Sequence, residues 1–163
     1  AKTSGKTFVP IELEKSQLNL ENYFAPITGK LKPGVKEPDL ATFFKIKNIL
    51  FDLDKSNIRP DAEVELAKIL VVLEDYPTME LDIRSHTDCR QTAKYNQALS
   101  DRRAKSTRTW LIGKGINKAR LTAKGYGESQ LLNNCGCEPT NESSCSEEQH
   151  QQNRRSEFII TKM

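Results

Sequence analysis

The sequence predicts an α+β fold: a two-layer sandwich of the order βαβαββ, with both helices on one face of a mixed sheet and an extended N-terminal arm. Two long segments carry apolar residues at helical spacing, and shorter segments with alternating or β-branched apolar residues lie between and after them. Each element has a single apolar face, and stacking helices on one side of a sheet buries all of these faces. The length of 163 residues and the 36% of apolar residues suffice for one domain with its own core.

The first strand and helix are predicted from residue 43 onward. Residues 44–51 form a β-rich run that ends in a polar turn. A helix then begins at Pro60, because proline is tolerated in the first turn, and it stops before Pro77. Its apolar residues at helical spacing are Ala62, Leu66, Ile69, Leu70 and Leu73. Residues 79–84 alternate between apolar and charged side chains, which predicts a half-buried strand.

The second half continues the alternation of helix and strand. A helix is predicted over residues 93–114, with Gly115 closing it. A short strand over 120–125, a long loop over 126–153 and a last strand over 156–162 complete the order.

Residues 1–42 differ in composition from the rest of the chain. They contain four prolines with glycines between them and no sustained helical period. We interpret them as an N-terminal arm or interdomain linker that packs in part on a domain of residues 43–163. The chain opens on Ala1 without an apolar leader, so we expect a mature form or a domain excised from a longer protein.

Charge and hydropathy exclude two classes of function. The 25 Lys and Arg against 22 Asp and Glu leave a net charge of +3, which is too small for a phosphate-binding surface. The predicted central strand also exposes charged residues without an aromatic on which bases could stack, so we expect no nucleic acid partner. The longest apolar run, Ile69 to Leu73, is far below the roughly 20 residues needed to cross a bilayer.

Four cysteines suggest an oxidising compartment, where disulfides persist. Cys135, Cys137 and Cys145 lie together in a polar stretch, and Cys89 stands alone earlier in the chain. A zinc site that also uses His150 is an alternative, but a Cys-x-Cys pair is an unusual start for structural zinc; free thiols are a further one. Of the three possible pairings, we expect Cys137 with Cys145 and Cys89 with Cys135.

The densest polar cluster lies between the second predicted strand and the second helix, at residues 85–91. Asp88 precedes the helix N-terminus, and Asn96 and Arg103 share one face of the helix. A carboxylate, a guanidinium and free backbone N–H groups around one small volume would suit a ligand with an ammonium and a carboxylate on one carbon. The alternative is that Asp88 only caps the helix and Arg103 points into solvent.

Five short motifs occur in order: His86-Thr87-Asp88, Tyr95-Asn96-Gln97-Ala98-Leu99-Ser100, Arg102-Arg103-Ala104, Gly125-Tyr126-Gly127-Glu128 and Asn153-Arg154-Arg155-Ser156-Glu157-Phe158. In this order and spacing, residues 43–163 resemble the OmpA-like C-terminal peptidoglycan-binding domain.

The resemblance implies a domain that binds cell-wall peptide without covalent chemistry and without a cofactor. Its ligand would be the meso-diaminopimelate of the peptidoglycan stem peptide. By position in the motifs, Asp88 would bind the ammonium group and Arg103 the carboxylate. Thr87, Asn96 and Leu99 would line the pocket, and Arg154 would lie at its wall or rim.

The chain departs from the family pattern around the same pocket. Ser85 and Gln91 stand where the family usually has glycine, and at Gln91 the loop calls for a positive φ. Cys89 suggests that a disulfide tethers this loop. The cysteine-rich segment 133–152 resembles versions found in Bacteroidota envelope lipoproteins, including one associated with type IX secretion. The resemblance thus implies a periplasmic, outer-membrane-associated module whose parent protein contacts other outer-membrane or secretion components.

Two rival functions follow from the cysteines. His86 and Cys89 could form a nucleophilic pair, but a thiol held in a disulfide cannot attack, and we expect no enzyme activity. The other rival is a cysteine-loop module for protein interaction or zinc binding that keeps the fold without the wall ligand.

Overall fold

The computed structural model describes residues 20–137 and 142–163. Its helices and strands are α1 (Pro60–Asp75), β1 (Glu80–His86), α2 (Ala93–Gly113), β2 (Leu121–Gly125), α3 (Glu147–Asn153) and β3 (Arg155–Lys162). The predicted α+β class is confirmed. Among the described residues, no helix has both the length and the apolar composition that crossing a membrane requires.

The three strands form one mixed sheet in the order β2-β1-β3. β1 lies in the centre, where it pairs parallel with β2 and antiparallel with β3. The parallel pair needs a crossover connection, and α2 provides it. Consequently the carboxyl ends of β1 and β2 and the amino end of β3 meet at one end of the sheet.

Both long helices cover the same face of the sheet. Leu81 and Ile83 of β1 are buried in one hydrophobic core with Leu66 of α1 and Leu111 of α2. The charged residues that alternate with them along β1 are only half-buried. The alternation read from the sequence therefore assigned the two faces of the central strand correctly, and burial of the apolar face is what holds the helices against it.

The prediction of a strand over residues 44–51 is wrong. This segment runs irregularly, and its polar groups bond to side chains rather than to a neighbouring strand. Lys47 N donates to Oε1 of the buried Glu65 at 2.7 Å, and Oδ1 of Asn48 accepts from Ser156 N at 3.0 Å. The β-rich composition reflects burial instead, since aromatic and branched residues serve a core as well as a strand.

Residues before this irregular segment lie along the outer edge of β3. The backbone N–H of Ile160 donates to the carbonyl of Pro38 at 2.9 Å, which satisfies a group that an edge strand leaves open. Phe24 and Leu40 are buried in the same core as the helices. Residues 1–19 of the predicted arm lie outside the described residues, and the domain boundary at residue 43 stays a prediction.

The segment predicted as one long loop contains the short helix α3. Ser146 caps it: its hydroxyl accepts from Gln149 N at 3.2 Å, and Oε1 of Gln149 accepts from Ser146 N at 2.8 Å. This reciprocal pair is a capping box, whose sequence signature of Ser and Gln three residues apart is legible in the chain. The sequence interpretation missed it because no apolar period accompanies it.

All four cysteines are in disulfides, but the expected pairing is wrong. Cys89 pairs with Cys137 and Cys135 pairs with Cys145. Either cysteine of a Cys-Gly-Cys segment can face Cys89, so spacing alone does not distinguish the two connectivities. A turn precedes them, in which Cys135 N donates to Oδ1 of Asn133 at 3.2 Å.

At Gly125, the backbone of β2 lies directly against α2. A Cβ atom on Gly125 would lie 2.2 Å from the backbone nitrogen of Asp101 and 2.3 Å from Oγ of Ser100. We expect Gly125→Ala to lower the free energy of unfolding by about 2–3 kcal/mol, since backbone atoms must shift to admit the methyl group. Urea denaturation measures the loss. Gly113→Ala is the matched control, because nothing lies within 4 Å of a Cβ there; equal stability of the two variants would contradict the prediction.

Candidate binding pocket

A cavity of about 610 Å³ lies at the end of the sheet where β1 ends and β3 begins. Three parts of the chain line it: the segment before α1, the loop from β1 to α2 with the first turns of α2, and the stretch from α3 to the start of β3. All six residues expected at the ligand site line this cavity: Thr87, Asp88, Asn96, Leu99, Arg103 and Arg154. The structure thus brings together residues that are distant in sequence, and their roles toward a ligand stay predictions.

Asp88 is a buried carboxylate held by two arginines. Its side chain is 8% exposed. Oδ1 accepts from the backbone nitrogen of Arg90 at 2.9 Å, while Oδ2 accepts from the side chains of Arg90 at 2.8 Å and Arg154 at 2.6 Å. Burial acts to raise the pKa of Asp88, but these hydrogen bonds outweigh burial and the pKa lies below its ordinary value. The carboxylate is therefore ionised at neutral pH.

Asp88 does not cap helix α2, which corrects one of the two interpretations of the sequence. The N-cap is Thr92, whose hydroxyl accepts from Tyr95 N at 3.1 Å. This N-cap bond also occupies one of the backbone donors that had been expected to form an anion site. The charged side chains of the pocket, rather than this helix end, remain the groups available for a charged ligand.

Arg103 is buried on α2, so the alternative that it points into solvent is also wrong. Its Nε donates to the carbonyl of Lys55 at 2.8 Å, its Nη2 donates to the carbonyl of Asp52 at 3.1 Å, and its guanidinium lies 4.9 Å from the Phe51 ring centroid. Burial lowers the pKa of Arg103, but a guanidinium keeps its proton in proteins. No carboxylate of the described residues forms an ion pair with it, so its charge is available to an anionic group.

The loop that carries Asp88 is fixed by side-chain amide and hydroxyl groups. Nδ2 of Asn96 donates to the carbonyls of Asp88 and Arg90, each at 3.2 Å, and to Oε1 of Glu128 at 2.8 Å. The hydroxyl of Thr87 donates to the carbonyl of Asp88 at 2.9 Å. Asn96 and Thr87 therefore hold the loop backbone in place, which leaves the Asp88 carboxylate rigidly oriented.

Gln91 closes this loop with φ of 90°, in the left-handed region that favours glycine. This confirms the expectation that the family's usual glycine position requires a positive φ here. A residue with a side chain carries a conformational cost at such a position. The disulfide between Cys89 and Cys137 tethers the same loop to the cysteine-rich segment and helps to keep it in this conformation.

Two pocket residues, Arg90 and Glu147, were absent from the expected set. Glu147 is the first residue of α3, and its Oε1 lies 3.1 Å from Nη1 of Arg90. Its other oxygen pairs with Nη2 of Arg154. Asp88, Arg90, Glu147 and Arg154 thus form a closed ring of four ion pairs, here called the ion-pair ring. Glu147 could have been found only by recognising α3, whose sole signal was its capping box.

Two exposed apolar side chains lie at the cavity. Leu53 is 85% exposed and Leu50 is 39% exposed, although both line the cavity. Beside them, the hydroxyl of Tyr95 donates to Oδ1 of Asp54. The pocket therefore combines charged groups in its interior with an apolar rim, an arrangement that suits a ligand with charged ends and aliphatic parts.

The residues considered for a nucleophilic site have other structural roles. The Cys89 sulfur is bonded to Cys137. His86 is buried, stacks on Tyr126 with ring centroids 5.5 Å apart, and bonds through Nε2 to Oε1 of Glu157 at 2.9 Å. His86 also lines the cavity.

Residues 50–144 match the OmpA family. Over 87 residues the chain is 40% identical to the peptidoglycan-associated lipoprotein of Brucella melitensis. The aligned residues cover 53% of this chain and 52% of that protein. It is 39% identical over 114 residues to the photosystem I P700 chlorophyll a apoprotein A2 of Gloeobacter violaceus, covering 70% of this chain but 13% of that protein. The chain thus spans about half the length, or less, of these curated relatives.

A solved structure gives the same relationship. The peptidoglycan-associated lipoprotein from Burkholderia pseudomallei superposes with a TM-score of 0.59 at 25% identity, covering 70% of this chain and 90% of that one. The overall fold of this domain is therefore shared with that protein.

The His86–Glu157 contact predicts a pH dependence of stability. The hydrogen bond from His86 is the main cause that lowers the pKa of Glu157 from 4.5 to about 2. A carboxyl with a depressed pKa in the folded state stabilises the protein above its unfolded-state pKa and loses that contribution as the pH falls toward the folded-state value. We expect the free energy of unfolding to decrease between about pH 5 and pH 2.

Glu157→Gln should flatten this decrease and be less stable than wild type at neutral pH, as measured by urea denaturation across the pH range. Glu74→Gln, at an exposed position of α1, is the control and should follow the wild-type curve. Parallel curves for wild type and Glu157→Gln would show that the contact does not contribute.

Proposed function

Because the chain belongs to the OmpA family, we propose that it binds peptidoglycan without covalent chemistry and anchors an outer-membrane protein or secretion-associated complex to the cell wall. Two of its relatives are named peptidoglycan-associated lipoproteins. This function places the chain in the periplasm beside the outer membrane. It requires no cofactor and no catalytic step, and family membership agrees with the expectation that the chain is not an enzyme.

One observation carries the ligand assignment: a single cavity is lined by the buried, ionised carboxylate of Asp88 and by the guanidinium of Arg103, which pairs with no carboxylate of the described residues. An amino-acid zwitterion offers the complementary ammonium and carboxylate on one carbon. The free end of meso-diaminopimelate in the stem peptide is such a group. Asp88 would bind its ammonium, and Arg103 would bind its carboxylate by charge-assisted hydrogen bonds.

The other pocket residues fit the remaining parts of this ligand. Leu99 is buried and lines the cavity, which suits the methylene chain of diaminopimelate. Thr87 and Asn96 position the Asp88 loop, and Arg154 keeps the carboxylate ionised. A modest affinity at one pocket would suffice, because the wall is a polymer with many copies of the ligand and the attached protein gains from avidity.

The cysteine-rich segment supports a narrower proposal about the parent protein. Its length and three cysteines resemble those of Bacteroidota envelope lipoproteins, so we extend the proposal to a lipoprotein of that kind, with type IX secretion components as candidate partners. A zinc-binding role for the segment is not favoured, since all four cysteines are disulfide-bonded. The contacts with other envelope components would be made by parts of the parent protein beyond this domain.

Loss of the Asp88 charge tests the ammonium site. Asp88→Asn should weaken the binding of a muropeptide with meso-diaminopimelate by about 2–4 kcal/mol, because the ligand ammonium would be buried without its counter-charge. Isothermal titration calorimetry measures the change, and circular dichroism establishes that the variant is folded. Glu74→Gln removes one acidic charge outside the pocket and should bind as wild type does. Wild-type affinity in Asp88→Asn would contradict the assignment.

Arg103 is tested by comparing two ligands. Lysine in the stem peptide lacks the side-chain carboxylate of diaminopimelate, so wild type should bind the diaminopimelate muropeptide at least about tenfold more tightly than its lysine counterpart. Arg103→Gln should bind both with similar, low affinity, whereas Lys105→Gln, exposed on the same helix, should keep the preference. A preference that survives in Arg103→Gln would mean that another group recognises the carboxylate.

A further inference from the structure

The Asp88 carboxylate is already surrounded by donors before any ligand binds. Its Oδ1 accepts from the backbone of Arg90, and its Oδ2 is shared by Arg90 Nη2 at 2.8 Å and Arg154 Nη1 at 2.6 Å. Only 8% of the side chain is exposed. A cationic ligand group can therefore reach Oδ2 only when one of the two guanidinium groups moves away.

Exposure and partner number single out Arg90 as the group that moves. Its side chain is 44% exposed, against 26% for Arg154. Arg154 is further held by Gln151, whose Oε1 accepts from Nη2 at 2.6 Å, and by Asn48, whose amide donates to the Arg154 carbonyl at 2.7 Å. The Arg90 guanidinium has ion-pair partners in Asp88 and Glu147 alone among the described residues.

We propose that Arg90 and Glu147 set the affinity of the pocket through an exchange of partners. When the ligand ammonium binds Asp88, Arg90 leaves Asp88 and keeps Glu147, whose carboxylate compensates the displaced charge. Arg154 stays in place. Neither Arg90 nor Glu147 then needs to touch the ligand, so both are positioning residues. The inference rests on the proposed function, because it requires a ligand with a cationic group.

The exchange predicts opposite effects for the two residues. Arg90→Gln removes the competitor of the ligand, and binding should tighten by about fivefold, the size expected for one partly exposed ion pair. Glu147→Gln removes the acceptor of the displaced guanidinium, so Arg90 stays on Asp88 and binding should weaken by about fivefold.

A double-mutant cycle separates this exchange from general electrostatics. The diaminopimelate muropeptide is titrated by calorimetry into wild type, Arg90→Gln, Glu147→Gln and the double variant, with thermal melting as the check on folding. Under the exchange, Glu147→Gln should have no effect on affinity in the Arg90→Gln background, because no displaced guanidinium then needs an acceptor and Arg154 keeps its bonds to Asp88 and Gln151. A merely structural role would change the melting temperature and leave the two effects on affinity additive. Lys105→Gln and Glu74→Gln are the charge-matched controls outside the pocket.

Each outcome has a distinct meaning. Tighter binding by Arg90→Gln together with loss of the Glu147 effect in the double variant supports the exchange. Additive effects, or weaker binding by Arg90→Gln, overturn it while leaving the proposed function intact, since the ligand still binds. Absence of binding to wild type overturns the proposed function and the exchange with it.

Discussion

The burial of one ionised carboxylate is the constraint on which this end of the molecule depends. A buried charge must be paired, and Asp88 is paired by one arginine from its own loop and by another next to β3. Those arginines in turn bind Glu147 at the start of α3. The short helix, the cysteine-rich segment and the β1–α2 loop are therefore arranged around a single charge, while the sheet and long helices supply the fixed frame behind it.

The frame could be predicted well from the sequence, because it rests on hydrophobic periodicity. The alternation around Leu81 and Ile83 and the helical spacing in α1 depend only on local chain geometry. The run at residues 44–51 misled the prediction because burial in a core and pairing in a sheet select similar residues. The backbone conformation of this segment depends on hydrogen bonds to residues distant in sequence, such as Glu65, and composition does not reveal such partners.

The residues of the candidate site could be predicted where the order of the sequence motifs identified them. Thr87, Asp88, Asn96, Leu99 and Arg103 belong to one loop and the helix that follows, so their proximity is nearly a local property. Glu147 reaches the pocket only through α3 and the disulfides that position its loop. No apolar periodicity in the sequence predicts that arrangement. The disulfide pairing was predicted wrongly for a related reason: Cys135 and Cys137 are separated by a single residue, and only the folded chain determines which of them faces Cys89.

The disulfide between Cys89 and Cys137 makes the surroundings of the pocket depend on the oxidation state of the chain. None of the four cysteines belongs to the hydrophobic core formed by the sheet and long helices, so the contacts of that core do not include the disulfides. The loop bearing Asp88 and the segment leading to α3 become covalently joined only upon oxidation. The core and the pocket thus depend on different conditions: the core needs only the burial of apolar side chains, whereas the covalent link beside the pocket also needs an oxidising environment.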